Sequence, residues 1–130
     1  MPHTRASDGA SIHYEIHGSG EPVLLIMGLG SNAYGWYRTI PWLAERHRVI
    51  AFDNRGTGRS DVPEGGYAIA QMARDAAAVL DAAGHETAHV AGASLGGMIA
   101  QRLALDHGAR LRSLILFCTT PGGAHAVSAA

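Results

Sequence analysis

The sequence holds a single cysteine, Cys118, among 130 residues. An internal disulfide is therefore excluded. Cys118 closes the apolar run Leu114-Ile115-Leu116-Phe117 and is expected to behave as a small buried apolar residue in a reducing compartment. Charge is also scarce: 16% of residues are Asp, Glu, Lys or Arg, the formal net charge is −1, and no basic cluster exceeds a few residues. That balance offers no electrostatic footprint for nucleic acid or anionic lipid. Long apolar runs are missing too, and none approaches the roughly 18 residues of a membrane span. Met1-Pro2-His3-Thr4-Arg5 lacks the apolar core of a signal peptide, so a cytoplasmic location with no membrane partner is expected. No H-x-x-x-H pair falls on a predicted helix, and neither a metal nor a cofactor is expected. Gly28-Leu29-Gly30 lacks the third glycine of a dinucleotide loop, and Gly56-Thr57-Gly58 follows an aspartate-bearing loop instead of opening a helix.

What is abundant is apolar residues, at 47%, and glycine, at 17 positions. The first is enough for a core. The second is most informative at Gly92-Ala93-Ser94-Leu95-Gly96, a G-x-S-x-G pentapeptide. Residues 86–91 before it read as a short buried strand and residues 98–105 after it as a helix. Small residues at 92 and 96 let a chain turn sharply from strand to helix, leaving Ser94 on a strained bend with its Oγ exposed. A serine hydroxyl needs such exposure, and a base to take its proton, before it is a nucleophile. A second apolar strand, Val23-Leu24-Leu25-Ile26-Met27, ends in Gly28-Leu29-Gly30. The backbone N–H groups of Leu29 and Leu95 are thus candidate donors to a developing oxyanion.

These residues make the chain resemble the α/β-hydrolase superfamily. The likeness rests on three blocks in the family's order: Leu25-Ile26-Met27-Gly28-Leu29-Gly30, then Phe52-Asp53-Asn54-Arg55-Gly56-Thr57-Gly58-Arg59-Ser60, then Val90-Ala91-Gly92-Ala93-Ser94-Leu95-Gly96-Gly97. The branch most similar is that of small esterases, enol-lactonases and cofactor-free haloperoxidases. Met27 departs from the histidine often found before the first glycine, which a backbone donor does not need. The resemblance implies Ser94 as nucleophile, Leu29 and Leu95 as oxyanion-hole donors, Gly28, Gly92 and Gly96 as turn glycines, and Tyr34 and Trp36 as neighbours of the acyl group.

It also implies an acid and then a histidine downstream of the serine. The 130 residues supply neither: His125 has no Asp or Glu near it in the tail, His85 and His89 flank the start of the strand that runs into the sharp bend, or elbow, at Ser94, and His107 ends the helix after it. Asp53 precedes Ser94, the wrong order for the family's acid. Residues 1–130 are accordingly expected to form the N-terminal portion of one domain, with 119–130 fraying.

The expected fold class is α/β, a mostly parallel sheet flanked by helices and truncated after about the sixth strand. Residues 11–17 alternate apolar and polar, and with 23–27 they read as a hairpin around Gly18-Ser19-Gly20. Residues 34–45 read as a short helix interrupted by Pro41, 48–52 as a strand, 69–83 as a helix capped by Gly84, and 111–117 as a strand. This last strand would be an unpaired apolar edge, a template for a second chain or for self-association.

Two functions follow. One is a serine hydrolase of small carboxylic esters or lactones, working through an acyl-enzyme. The same site could run peroxidase-type chemistry through a peracid; an aspartate nucleophile of the epoxide-hydrolase or dehalogenase kind is disfavoured by Ser94. The alternative is an inactive hydrolase-like domain that acts as a binding or assembly module.

Overall fold

The computed structural model describes residues 2–123. Among them, six strands form one sheet: β1 (His3–Arg5), β2 (Ser11–His17), β3 (Glu21–Ile26), β4 (His47–Phe52), β5 (Ala88–Ala93) and β6 (Leu111–Phe117). Their spatial order is β1-β2-β4-β3-β5-β6. Pairings β1/β2 and β2/β4 are antiparallel, and β4/β3, β3/β5 and β5/β6 are parallel. The helices are α1 (Thr39–Leu43), α2 (Ile69–Ala82) and α3 (Leu95–Asp106), with 3₁₀ turns at Ala33–Trp36 and Gly108–Arg110.

The hairpin expected between residues 11–17 and 23–27 does not form. β2 pairs with β4 instead, Tyr14 opposite Phe52, and β3 lies on the far side of β4. The reason lies in burial: residues Val23–Ile26 are apolar and covered on both sheet faces, which suits a central strand with neighbours on both edges. The chain reaches that position by passing close under the 44–47 segment. Gly18 and Gly20 have φ of 76° and 118°, and a Cβ on either would run into the backbone carbonyls of Ala44, Arg46 or His47. β1, too short to show a periodicity, was not visible as a strand in the sequence.

Strand alternation divides the core in two. Ile12, Tyr14, Leu24, Ile26, Ile50, Phe52 and Val90 face α2 and α3, packing on Met72, Ala76, Leu80, Ile99 and Leu103. Val23, Leu25, Val49, Ala51 and Ala91 face the opposite way, onto Ala33, Trp36 and Ile40. The 34–45 helix is split into the 3₁₀ turn and α1. Pro41 is not what divides it, since it occupies the first turn of α1, where a missing N–H costs nothing. The 3₁₀ turn is set by Asn32, whose Oδ1 accepts from Tyr34 N at 2.9 Å. Gly84 follows α2 at φ 80°, as its capping position requires. Cys118 is exposed, at φ 47°, and not the buried residue expected from the run before it. It shares that exposure with residues 114–117, because β6 is the outermost strand of the described sheet and has no neighbour on its far side.

Along β6 the side chains of Leu114, Ile115, Leu116 and Phe117 are all partly open to solvent. On the Trp36 side, Ile115 and Phe117 border an apolar groove of about 580 Å³ over Val23, Leu25, Ala91 and Ala93. No described helix is long and apolar enough to cross a membrane.

Candidate active site

β5 runs two residues further than its sequence suggests, through Gly92 and Ala93, because parallel pairing continues to Ile26 opposite Gly92 and Phe117 opposite Ala93. α3 then begins at Leu95, with no intervening loop. The whole change of direction falls on Ser94, at φ 55° and ψ −120°. A non-glycine residue there carries strain of about 1–3 kcal/mol, which persists only where neighbours hold it. They do: Ser94 N donates to Phe117 O at 2.9 Å, and Ser94 O accepts from Gly97 N at 2.9 Å and from Thr119 Oγ1 at 2.7 Å.

The two flanking glycines are steric necessities. A Cβ on Gly92 would overlap the carbonyl of Gly96, and one on Gly96 would overlap the carbonyl of Ile26. α3 is therefore seated directly against the ends of β5 and β3. Gly28 completes the contact, since a Cβ there would lie 3.0 Å from both Ala93 O and Ser94 Cβ. These close approaches bring the 28–30 segment beside the serine.

Ser94 is exposed, and its side chain makes no hydrogen bond among the described residues. The N–H groups of Leu29 and Leu95 likewise find no acceptor there. Leu95 N is the first amide of a 12-residue helix, where the helix dipole adds partial positive charge. Leu29 and Leu95 both border a cleft of about 450 Å³, together with Gly28, Thr57, Tyr67 and Met72. An exposed hydroxyl flanked by unengaged donors is suited to acyl transfer, in which negative charge develops on a carbonyl oxygen.

Tyr34 and Trp36 do not line this cleft. Trp36 is 8% exposed and packs in the core beneath the 3₁₀ turn; Tyr34 points outward and stacks on Tyr37 at 5.4 Å. Trp36 instead borders the apolar groove on the other side of β5, with Ala93 and Phe117, and Tyr34 lies near Asp53. Tyr67 and Met72, at the cleft, were not distinguished by the sequence, because they follow a glycine-rich loop whose path only the fold determines.

The described residues bring no base to Ser94. His89 is five residues back along β5, about 16 Å at strand rise, and its Nδ1 is 2.7 Å from Ser113 Oγ. His107 is at the far end of α3, about 20 Å away at helical rise. His85 precedes β5, and burial lowers its pKa, helped by Arg48 and Arg112. His125 lies outside the described residues. Among the described residues no group of three His, Cys, Asp or Glu side chains is placed to hold a metal.

The 53–60 loop is a brace. Asp53 Oδ1 accepts from Ala33 N at 2.8 Å and Oδ2 from Arg59 N at 2.9 Å. Asn54 Nδ2 donates to Met27 O at 2.8 Å. Thr119 and Thr120, counted in the sequence with the fraying tail, bond back to Ser94 O and to Gln101 Nε2.

The sequence pattern of the alpha/beta hydrolase fold family matches residues 21–129. The chain belongs to the alpha/beta hydrolase family. It is 51% identical over 116 residues to RutD of Azorhizobium caulinodans, a protein named for carbamate hydrolysis, covering 89% of this chain and 43% of that protein. It is 38% identical over 112 residues to the pimeloyl-[acyl-carrier protein] methyl ester esterase of Aeromonas hydrophila, covering 85% of this chain and 42% of the esterase. Among solved structures, Est816, described as an N-acyl homoserine lactone degrading enzyme, superposes with a TM-score of 0.85 at 39% identity, covering 91% of this chain and 45% of Est816. The chain thus spans less than half the length of the relatives it matches, and its six-stranded sheet is the N-terminal portion of their fold.

Proposed function

We propose that Ser94 is the nucleophile of a hydrolase acting on small acyl substrates, carboxylic esters, lactones or carbamates. The observation that carries this reading is the exposed, strained Ser94 flanked by the unengaged N–H groups of Leu29 and Leu95. Ser94 Oγ attacks the acyl carbon while a histidine from outside residues 2–123 takes its proton, and the carbonyl oxygen becomes an oxyanion held by the two N–H groups. Collapse expels the alcohol or amine, which leaves with that proton. Water, deprotonated by the same histidine, then attacks the acyl-enzyme and frees Ser94. The names of RutD, the methyl ester esterase and Est816 support this substrate range, whose common element is an acyl carbon bearing an oxygen or nitrogen leaving group.

Intact-mass labelling with a fluorophosphonate, on the protein and on Ser94→Ala, tests the nucleophile. A single adduct that disappears in Ser94→Ala is expected wherever an acid and base reach the site. Full ester hydrolysis by Ser94→Ala overturns the assignment.

A second reading, assembly through the open sheet edge, is supported by the partly exposed apolar side chains of β6. It places a strand from another polypeptide segment against Leu111–Phe117, which is also a route by which a missing acid and base could arrive. A monomer that turns over ester unaided would overturn it.

A further inference from the structure

Segment 28–32, which carries the Leu29 N–H, has little of its own to hold it in place. Leu29 is 85% exposed and anchors nothing, and the one bond within the segment, Ser31 N to Gly28 O, is 3.3 Å long. Both of its ends are nevertheless gripped, and by two adjacent residues of another strand's exit. Asn54 Nδ2 donates to Met27 O at 2.8 Å, immediately before the segment. Asp53 Oδ1 accepts from Ala33 N at 2.8 Å, immediately after it.

The register makes this reach possible. β3 and β4 are parallel with Leu25 opposite Ala51, so Met27 and Asp53 leave the sheet at the same level. Asn54 must present its amide nitrogen to Met27, because a carbonyl oxygen only accepts. Asp53 is held from every side: its N donates to His13 O at 3.0 Å, its carbonyl accepts from Ser60 Oγ, and its second carboxylate oxygen accepts from Arg59 N. Gly58, at φ 50°, leaves room for that carboxylate; a Cβ there would overlap it. Asp53 and Asn54 are both buried.

We propose that Asp53 and Asn54 are positioning residues for the oxyanion hole, a two-point clamp that fixes the direction of the Leu29 N–H. The inference rests on reading Ser94 and Leu29 as parts of a hydrolytic site. An oxyanion donor stabilises the transition state only when it is aimed before charge develops, so loosening either end of the segment lowers kcat more than it raises KM. The clamp touches no substrate. Its contribution is therefore smaller than the roughly 10²–10³-fold loss on removing a donor outright.

The test compares Asn54→Ala and Asp53→Asn with the unaltered protein under conditions where ester turnover is measurable, with Ser94→Ala alongside. For each, kcat, KM and the inhibition constant of a trifluoromethyl ketone, which forms a tetrahedral oxyanion on the serine, are measured. The expected result is a fall in kcat of about tenfold or more, a KM within about threefold, and a parallel weakening of the ketone. Unchanged kcat and ketone affinity in either folded variant overturns the clamp. So does a fall in kcat with ketone affinity intact, the signature of a merely structural role. Hydrolysis surviving in Ser94→Ala would instead bring down the nucleophile assignment. Hydrogen exchange on the unaltered protein gives a reading that needs no variant to fold: the Ala33 amide is expected to exchange much more slowly than that of Leu29, and equal rates overturn the clamp.

Discussion

Asp75 grips the guanidinium of Arg55 along one edge: Arg55 Nε donates to Oδ2 at 2.7 Å and Nη2 to Oδ1 at 2.9 Å, with both side chains withdrawn from solvent. Asp8 takes the remaining edge, at 2.8 and 3.0 Å, and Gly66 O accepts from Nη1. Three segments distant in sequence, the β1–β2 turn, the 53–66 loop and α2, thus converge on one side chain. Arg55→Met strands the Asp75 carboxylate in the core and is expected to destabilise the protein by about 3–5 kcal/mol. Arg55→Lys is expected to recover only part of this, because an ammonium cannot pair both forks. Urea unfolding midpoints measure both; a loss below about 1 kcal/mol in Arg55→Met would contradict the account.

The same triad sets a pH dependence. The hydrogen bond from Arg55, aided by the Ala10 N–H, lowers the Asp8 pKa to about 2. The unfolded carboxyl titrates near its ordinary value of about 3.9. The folded state therefore binds fewer protons between these values, and the stabilisation is complete above about pH 4 and lost as pH falls towards 2. Asp8→Asn is expected to flatten this part of the curve, which urea midpoints across that range will register. An unchanged acid slope would mean that Asp8 contributes nothing there.

Strain at Ser94 predicts a gain on its removal. Ser94→Gly accepts φ 55° without a Cβ and is expected to raise stability by about 1 kcal/mol while eliminating phosphonate labelling. Thermal unfolding of the pair decides it. A destabilised glycine variant would show that the elbow is not strained.

Gly84, which caps α2, and Gly96, beside Ser94, separate two kinds of cost. At Gly84 a Cβ meets nothing within 4 Å, and Gly84→Ala is expected to cost about 1–2 kcal/mol for its positive φ alone. At Gly96 the added carbon overlaps the Ile26 carbonyl, so Gly96→Ala must part α3 from β3 and is expected to lose at least about 3 kcal/mol. Comparable thermal midpoints for the two variants would contradict the close packing.

At the sheet edge, Ile115 and Phe117 give β6 an open apolar side. The chain alone is expected to associate as its concentration rises, and Ile115→Lys to shift it towards monomer in sedimentation velocity. Equal sedimentation of both forms over a wide concentration range would exclude association through this edge.

Much of the fold was legible because its signals are local. The apolar run of β3, the helical spacing of α2 with Gly84 behind it, and the small residues around Ser94 each report a conformation that neighbouring side chains dictate. The order of the strands was not legible. Gly18-Ser19-Gly20 suits a hairpin as well as it suits a crossing beneath residues 44–47, and only the burial of β3 on both faces separates the two. Which groove Tyr34 and Trp36 would border was not legible either: sequence distance from Gly28 says nothing about which way a 3₁₀ turn faces its rings.

The sequence by itself determined the turn at Ser94, since glycine at 92 lets the Gly96 carbonyl, four residues on, close against it. Tertiary structure alone decided what stands around it. Asn54 meets Met27 and Thr119 meets Ser94 across 27 and 25 residues of chain, contacts that exist because parallel strands of fixed register end at one level. Periodicity reports which face a residue occupies; it carries no information about which strand lies beside it.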